Sequence, residues 1–328
     1  MHCVILGGGA LGSILAAHLV QAGHQVALIA RGQRALALRE NGLQIRGLAA
    51  LNLPCEVVTD PATLTSTDLF INTVKTFDTR AALQPLSGLR PRLACSVQNG
   101  VMKEDALSAA FDPACVLGAM ADFSGELCDD GTVMFTRNVC LHLGELQGGD
   151  SARVAAVAAA LDAAGIVTRQ SPAINEVIWS KYVGWVALML LAVLTRQGTA
   201  TYLADPDSAR VVARITREMG ALAAARGIAL RDQSPVPAHS ILAGNEDEAV
   251  EIVRELGATF ARTAPDHRMS SLQDVERGRA LEVEETAGYG LRLGRELGLT
   301  MPTLELCYRL AISVHRAHLA HLAHLAAG

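Results

Sequence analysis

Short apolar runs alternate with helix-period segments through the N-terminal half of the chain, and helix-period segments alone fill the C-terminal half. Cys3 to Leu6 is an apolar run too brief for a helix and suited to a buried parallel strand. A helix-period segment follows from about Ala10 to Gln21 and stops at Gly23, a residue that caps helix ends, and a second strand runs from Gln25 to Ala30. Further buried strands are expected at Leu69 to Val74 and Leu93 to Val97. From Gly118 to Gly144 the pattern alternates around Gly and Asp-Asp-Gly turns, which predicts strands extending the same sheet, with a hairpin at residues 129–131. Residues 151–164 read as a helix, Ile166 to Thr168 as a short strand, and "RQSPAIN" as a linker. Beyond it the chain reads as helices to the end, with no repeat suggesting a solenoid.

Two of those late helices carry an ionisable group in an apolar setting. In "INEVIWSKYVGWVALMLLAVLTRQG" the residues from Tyr182 to Thr195 have no formal charge, and Lys181 stands at their head. As a helix they rise about 21 Å, whereas a bilayer core needs about 30 Å, so a buried core helix is expected rather than a membrane span. The N-terminus "MHCVILGGG" lacks the basic start of a signal peptide, so a soluble, cytoplasmic protein is expected. From periodicity alone, Lys181 snorkels to water at least as readily as it serves chemistry. The other group lies in "SSLQDVERGRALEVEETAGYGLRLGRELGL", read as one long helix from about residue 271. Leu272, Val275, Val283, Thr286 and Leu293 define its apolar face; Glu284 and Glu285 fall outside it and should be solvated. Glu282 lies on the edge of that face, where a carboxylate needs a partner, be it substrate or simply Arg279.

Composition narrows the class. A chain of 328 residues favours two domains, and 50% hydrophobic with 19% charged residues describes a well-packed α/β or α-rich protein. A net charge of −5 gives no reason to expect nucleic acid. The 7 cysteines are scattered with no C-x-x-C pair, fitting small buried hydrophobes in a reducing cytosol better than a disulfide frame or zinc site.

The first β-α-β unit carries the chemistry. Gly7, Gly9 and Gly12 follow the first strand in G-x-G-x-x-G spacing. Gly7 allows the tight turn, Gly9 lets a pyrophosphate approach the backbone, and Gly12 lets helix and strand pack closely. Ala10 and Leu11 begin the helix, whose free N–H groups and positive dipole end face the phosphates. Dinucleotide binding follows. At the end of the second strand NAD sites usually place an acid; here stand Ala30 and Arg31, with Arg34 following. A guanidinium binds a 2′-phosphate that a carboxylate repels, so NADP(H) is favoured, the other reading being a plain surface arginine. Lys75 and Asn99 end two more strands on the same rim, where ligands of doubly wound sheets bind, although strand-ending polar residues and Asn-Gly turns are common. The architecture expected is α/β: a Rossmann-type doubly wound domain in residues 1–170 and an all-helical domain in residues 171–328.

The pieces "ILGGGALGS", Arg31, "ENGLQIRG", "TVKTFDT", "VQNGV", "IWSKYVGW" and "SSLQDVERGRALEVE" together resemble the ketopantoate reductase (2-dehydropantoate 2-reductase) family over nearly the whole chain. The resemblance implies NADPH-dependent reduction of a small keto acid in a cleft between the two domains, a step of pantothenate biosynthesis. It implies Lys181 as general acid and Glu282 as the substrate-side carboxylate. Lys75 and Asn99 match residues holding cofactor and substrate, and Ser270 a substrate-binding serine. A lysine ammonium can stabilise the charge growing on the carbonyl oxygen and donate the proton. One departure stands out: the family's asparagine four residues after its lysine is Trp185 here, and a turn further on stands Met189. These share a helix face with Lys181, so a less polar substrate is expected. Competing expectations are a reductase of another carbonyl or imine, opine-dehydrogenase-like chemistry included, and a non-catalytic NADP(H) sensor. The apolar helical domain suits a homodimer. In the tail, His315, His318, His321 and His324 recur every third residue. That spacing drifts about 60° per step on a helix, so a metal site is not expected.

Overall fold

In order, the N-terminal elements are β1 (His2–Leu6), α1 (Ala10–Gln21), β2 (Gln25–Ile29), α2 (Gly32–Asn41), β3 (Leu43–Gly47), β4 (Leu51–Leu53), β5 (Glu56–Val58), β6 (Ser66–Asn72), α3 (Thr79–Leu83), β7 (Arg90–Ser96), α4 (Lys103–Ala110), β8 (Leu117–Leu127), β9 (Val133–Glu145), α5 (Ala152–Ala163), β10 (Thr168–Gln170) and α6 (Ile174–Thr195). They come from a computed structural model, which describes the backbone of residues 1–327 and the side chains of residues 1–320. The chain divides into two units, Met1–Ile178 and Trp179–Gly328, so the division falls inside α6.

The first sheet has the order β5-β2-β1-β6-β7, with every neighbouring pair parallel. Its central strand is apolar without alternation because both faces are covered. Cys3 and Ile5 pack with Ile14, Leu15 and Leu19 of α1, whereas Val4 and Leu6 pack with Leu83, Leu86 and Leu107 on the other side.

The expectation that residues 118–144 extend this sheet is corrected. Only Val116 continues it, through an isolated parallel bridge to Ala94. β8 then pairs antiparallel with β9 in a second sheet of order β10-β9-β3-β4. The hairpin between them turns at residues 128–132, Cys128 N–H donating to Thr132 O at 2.8 Å. Phe123, Phe135, Leu141 and Leu143 of this sheet join the core containing α1, which is why Gly12 to Leu19 are buried without a break.

The helical unit continues with α7 (Thr199–Ala204), α8 (Pro206–Ala225), the short strands β11 (Asp232–Gln233) and β12 (Val236–Pro237), α9 (Ala238–Ala243), α10 (Glu246–Thr263), α11 (Ser270–Glu276), a π turn (Glu284–Gly288), α12 (Tyr289–Glu296) and α13 (Pro302–Ala327). The β11–β12 pair is a small exception to an otherwise helical region. Caps follow from sequence: the Asp205 carboxylate accepts from Ser208 N–H at 2.8 Å ahead of Pro206, and Asn245 with Glu248 forms a capping box.

Two expectations about helices fail here. The long helix from 271 is broken after Glu276, because Gly278 takes a positive φ of 61° that ends α11. Consequently Glu285 is half-buried, and burial raises its carboxyl pKa; Glu284 is bound by Arg292 and Tyr308. The length argument about α6 also fails, since the helix starts at Ile174 and its 22 residues could span a bilayer. What identifies α6 as a core helix is that 89% of its most apolar stretch is buried. All seven cysteines are free, and Cys3, Cys95, Cys115, Cys140 and Cys307 are buried.

Candidate active site

In the N-terminal unit the glycine turn is held from several sides. Gly7 adopts φ 112°, a left-handed value open to glycine, and its N–H donates to Ile29 O at 3.0 Å. A Cβ on Gly12 would stand 1.9 Å from the Gly7 carbonyl oxygen and 2.7 Å from Thr73 Oγ1. Around Gly9, in contrast, no atom beyond its own chain neighbours and helix backbone lies within 4 Å of where a Cβ would be. Gly9 is the N-cap of α1 and supplies no side-chain cap, so the first-turn amides of Ala10 and Leu11 have no partner within the helix. This turn fits the pyrophosphate of a dinucleotide: open space, left-over N–H donors and a helix N-terminus coincide.

Thr73 and Arg34 complete the turn, and sequence reasoning missed one and misread the other. The Thr73 hydroxyl lies 3.0 Å from Leu6 O and 2.8 Å from Gly7 O. Arg34 donates to Gly8 O at 2.6 Å, Ser13 Oγ at 2.8 Å and Gly131 O at 2.7 Å. It therefore clasps the turn to the β8–β9 hairpin rather than facing a ribose phosphate. Arg31 is the exposed cation at the end of β2, its side chain 75% accessible, and the fold brings Asp78 to 3.8 Å from it. No sequence-local acid signalled that pairing.

Lys75 and Asn99 are both half-buried and follow β6 and β7. A buried polar network fixes these strand ends. The Gln98 amide donates to Val74 O at 2.6 Å and Thr79 Oγ1 at 2.7 Å, and accepts from Ser96 Oγ at 2.9 Å. Asn72, fully buried, accepts from Val74 N–H at 3.3 Å. Beyond the Asn99-Gly100 turn lies a buried ion pair at the start of α4. Lys103 Nζ is 2.7 Å from Glu104 Oε1, with side chains 2% and 9% accessible. Lys103 also donates to Gly100 O at 3.4 Å, and Glu104 accepts from Ala119 N–H at 3.4 Å. Burial pushes the Glu104 carboxyl up, and the Lys103 ammonium opposes that rise.

The remaining candidates lie in the helical unit. Lys181 is half-buried on α6, and its neighbours pin the helix: Ser180 Oγ accepts from Arg231 N–H at 2.9 Å, and the Tyr182 hydroxyl donates to Thr286 O at 2.8 Å. The Thr286 hydroxyl in turn bonds the carbonyl of Glu282, itself half-buried. Thus the residue beside Lys181 is tied through Thr286 to the backbone of Glu282. A second tie joins α11 to α6, where Ser271 Oγ donates to Met189 O at 3.4 Å beside half-buried Ser270. Trp185 and Met189 are 5% and 1% exposed. Tyr182 and Ser271 were invisible to motif reading because their hydroxyls act on backbone groups far along the chain. Among the described residues, no group of three or more His, Cys, Asp or Glu is placed to hold a metal. The side chains of His321 and His324 lie outside the described residues.

Known proteins resemble this chain in sequence and in fold. Family models described as ketopantoate reductase PanE/ApbA and its C-terminal domain match residues 3–148 and 173–315. A 2-dehydropantoate 2-reductase of Archaeoglobus fulgidus is 30% identical over 298 residues, covering 90% of this chain and 91% of its own. The crystal structure of a PanE/ApbA family ketopantoate reductase from Ralstonia eutropha JMP134 superposes with a TM-score of 0.80 at 25% identity, covering 97% of this chain and 100% of its own. A D-mandelate dehydrogenase structure with NADH and anilino(oxo)acetate has a TM-score of 0.82 at 21% identity, covering 97% and 99%.

Proposed function

The chain belongs to the ketopantoate reductase PanE/ApbA family of oxidoreductases, and from that premise we propose that it reduces a 2-keto acid to the 2-hydroxy acid with NADPH. NADPH supplies the hydride when bound. The chain's part is to hold, orient and protonate. Gly7, Gly9 and Gly12 with the Ala10 and Leu11 amides receive the pyrophosphate, Arg31 the 2′-phosphate, and Lys75 and Asn99 the end nearer the reaction. Lys181 stabilises the negative charge growing on the carbonyl oxygen and gives it a proton. Glu282 binds a substrate hydroxyl or keeps that ammonium charged, and Ser270 holds a further polar group of the substrate. What supports the reading most is the hydrogen-bonded tie from Tyr182 through Thr286 to Glu282, which couples the helix of the acid to the carboxylate segment. A cytoplasmic setting accords with the seven free cysteines.

Trp185 and Met189 favour a particular substrate class. On the face of α6 that carries Lys181 they offer bulk and no amide donors, so we infer a keto acid less polar than ketopantoate. The fold is shared with a D-mandelate dehydrogenase holding NADH, so it chooses neither the substrate nor between NADPH and NADH. Steady-state assays with ketopantoate and a panel of apolar 2-keto acids, each with NADPH and NADH, decide the matter. Expected is NADPH-dependent turnover of an apolar member, with Lys181→Ala lowering kcat by about 10²–10⁴ while NADPH still binds. Efficient turnover of ketopantoate refutes the apolar substrate, and unimpaired Lys181→Ala refutes the acid.

A further inference from the structure

Two histidines of the terminal helix, His315 and His318, which the reaction does not use, reach the segment that carries Glu282. This segment, Arg277 to Val283, links α11 to the π turn. Its start is tied to α11, with Gly278 N–H donating to Val275 O at 3.1 Å and Arg279 N–H to Asp274 O at 2.8 Å. Its end is tied into the π turn by Gly288 N–H to Val283 O at 2.9 Å. Its middle is held from α13. Leu281 N–H donates to His315 Nδ1 at 3.0 Å, and His318 Nδ1 meets the carbonyl of Arg279 at 3.1 Å. Tyr308, on the same side of α13, donates to Glu284.

The two imidazoles must be in different states. Arg279 offers an oxygen, so His318 carries a hydrogen on Nδ1. Leu281 offers an N–H, so His315 Nδ1 is bare. An imidazolium at 315 has no lone pair for Leu281, and that amide belongs to a residue only 2% exposed, with little access to water instead. We propose that His315 and His318 are positioning residues that clasp the Glu282 segment, and that protonation of His315 opens the clasp. The functional consequence rests on the place given to Glu282 at the substrate.

The charges around His315 set the direction. Burial lowers its pKa below the ordinary 6.5, as do His318 and Arg316 on its own helix, while Glu284 of the π turn opposes them. The neutral form holds the amide fully above the unfolded value of 6.5 and is lost as pH falls through the lowered folded value. Keto-acid binding should therefore weaken on acidification, with dinucleotide binding on the N-terminal unit spared.

Three proteins test this: wild type, His315→Asn, whose Oδ1 can accept from Leu281 without titrating, and His315→Ala, which cannot accept. In His315→Ala at about pH 7.5 the keto-acid KM should rise about tenfold with NADPH affinity unchanged. His315→Asn should keep the wild-type KM there and lose the acid-side rise. Deuterium exchange of residues 277–283 reads the clasp without catalysis, and should be faster in His315→Ala than in the other two. Equal exchange in all three overturns the clasp, and faster exchange with unchanged KM overturns its positioning role. A wild type that turns over no keto acid defeats the functional reading instead, and exchange still decides the clasp.

Discussion

Gly9 and Gly12 sit three positions apart on one turn, yet substitution should separate packing from binding. Alanine at 12 drives a methyl into the Gly7 carbonyl, a backbone atom that cannot step aside cheaply. We expect Gly12→Ala to cost about 1–3 kcal/mol of stability and to lose the dinucleotide as well. Alanine at 9 meets nothing in the protein and keeps an allowed φ of −72°, so the melting temperature without cofactor should be unchanged. Only cofactor affinity should fall, because the methyl occupies the pyrophosphate's approach. Thermal melts with and without NADPH distinguish these outcomes; a Gly9→Ala protein that binds NADPH normally would remove the phosphate from this turn. The glycine spacing was legible because its physics is local. Arg34 was not: its partners Gly8, Ser13 and Gly131 converge only after the hairpin folds back, so a guanidinium near a ribose site and a guanidinium clasping a loop look alike in sequence.

At the scale of an element, α4 begins with charges that α-helices usually leave in water. Lys103 and Glu104 are buried together, and the pair is tolerated because each also bonds a backbone group. Lys103→Met strands the carboxylate and should cost about 3–5 kcal/mol near neutral pH. The sign of the pH dependence follows from burial. Glu104 is already raised, and without the ammonium it rises further. A carboxyl whose folded pKa lies above its unfolded one gains stability as pH falls through the folded value. The loss in Lys103→Met should thus shrink on moving from neutral pH toward the unfolded glutamate value, and Lys103→Met/Glu104→Leu should recover much of it. Denaturant melts of the three proteins at two pH values check this. Element limits set by periodicity held well, as in α1, whereas the helix expected from 271 broke at Gly278, a residue whose left-handed φ the apolar pattern does not encode.

At the scale of the whole molecule, α6 must be read by its surroundings. Its composition permits a bilayer and its burial marks a core helix, so Leu188→Ala, at a fully buried position, should cost about 2–5 kcal/mol through a cavity. Wild-type protein should stay in the supernatant after high-speed centrifugation without detergent. Recovery only in the membrane fraction would overturn the core-helix assignment. Strands β1, β2, β6 and β7 were legible along the chain, but β3, β4, β5 and the second sheet were not, because short strands lack a clear apolar run and strand partners are chosen across long separations. β3 shows what that choice entails: it lies between β4 and β9, and Ile45 pairs with Val133. During synthesis the ribbon of β3 and β4 therefore emerges long before its companion and waits with one bare edge, an invitation to strand-to-strand aggregation. A ribosome stalled after α4 would hold that edge still unsealed, and the Arg34 clasp on the glycine turn still open.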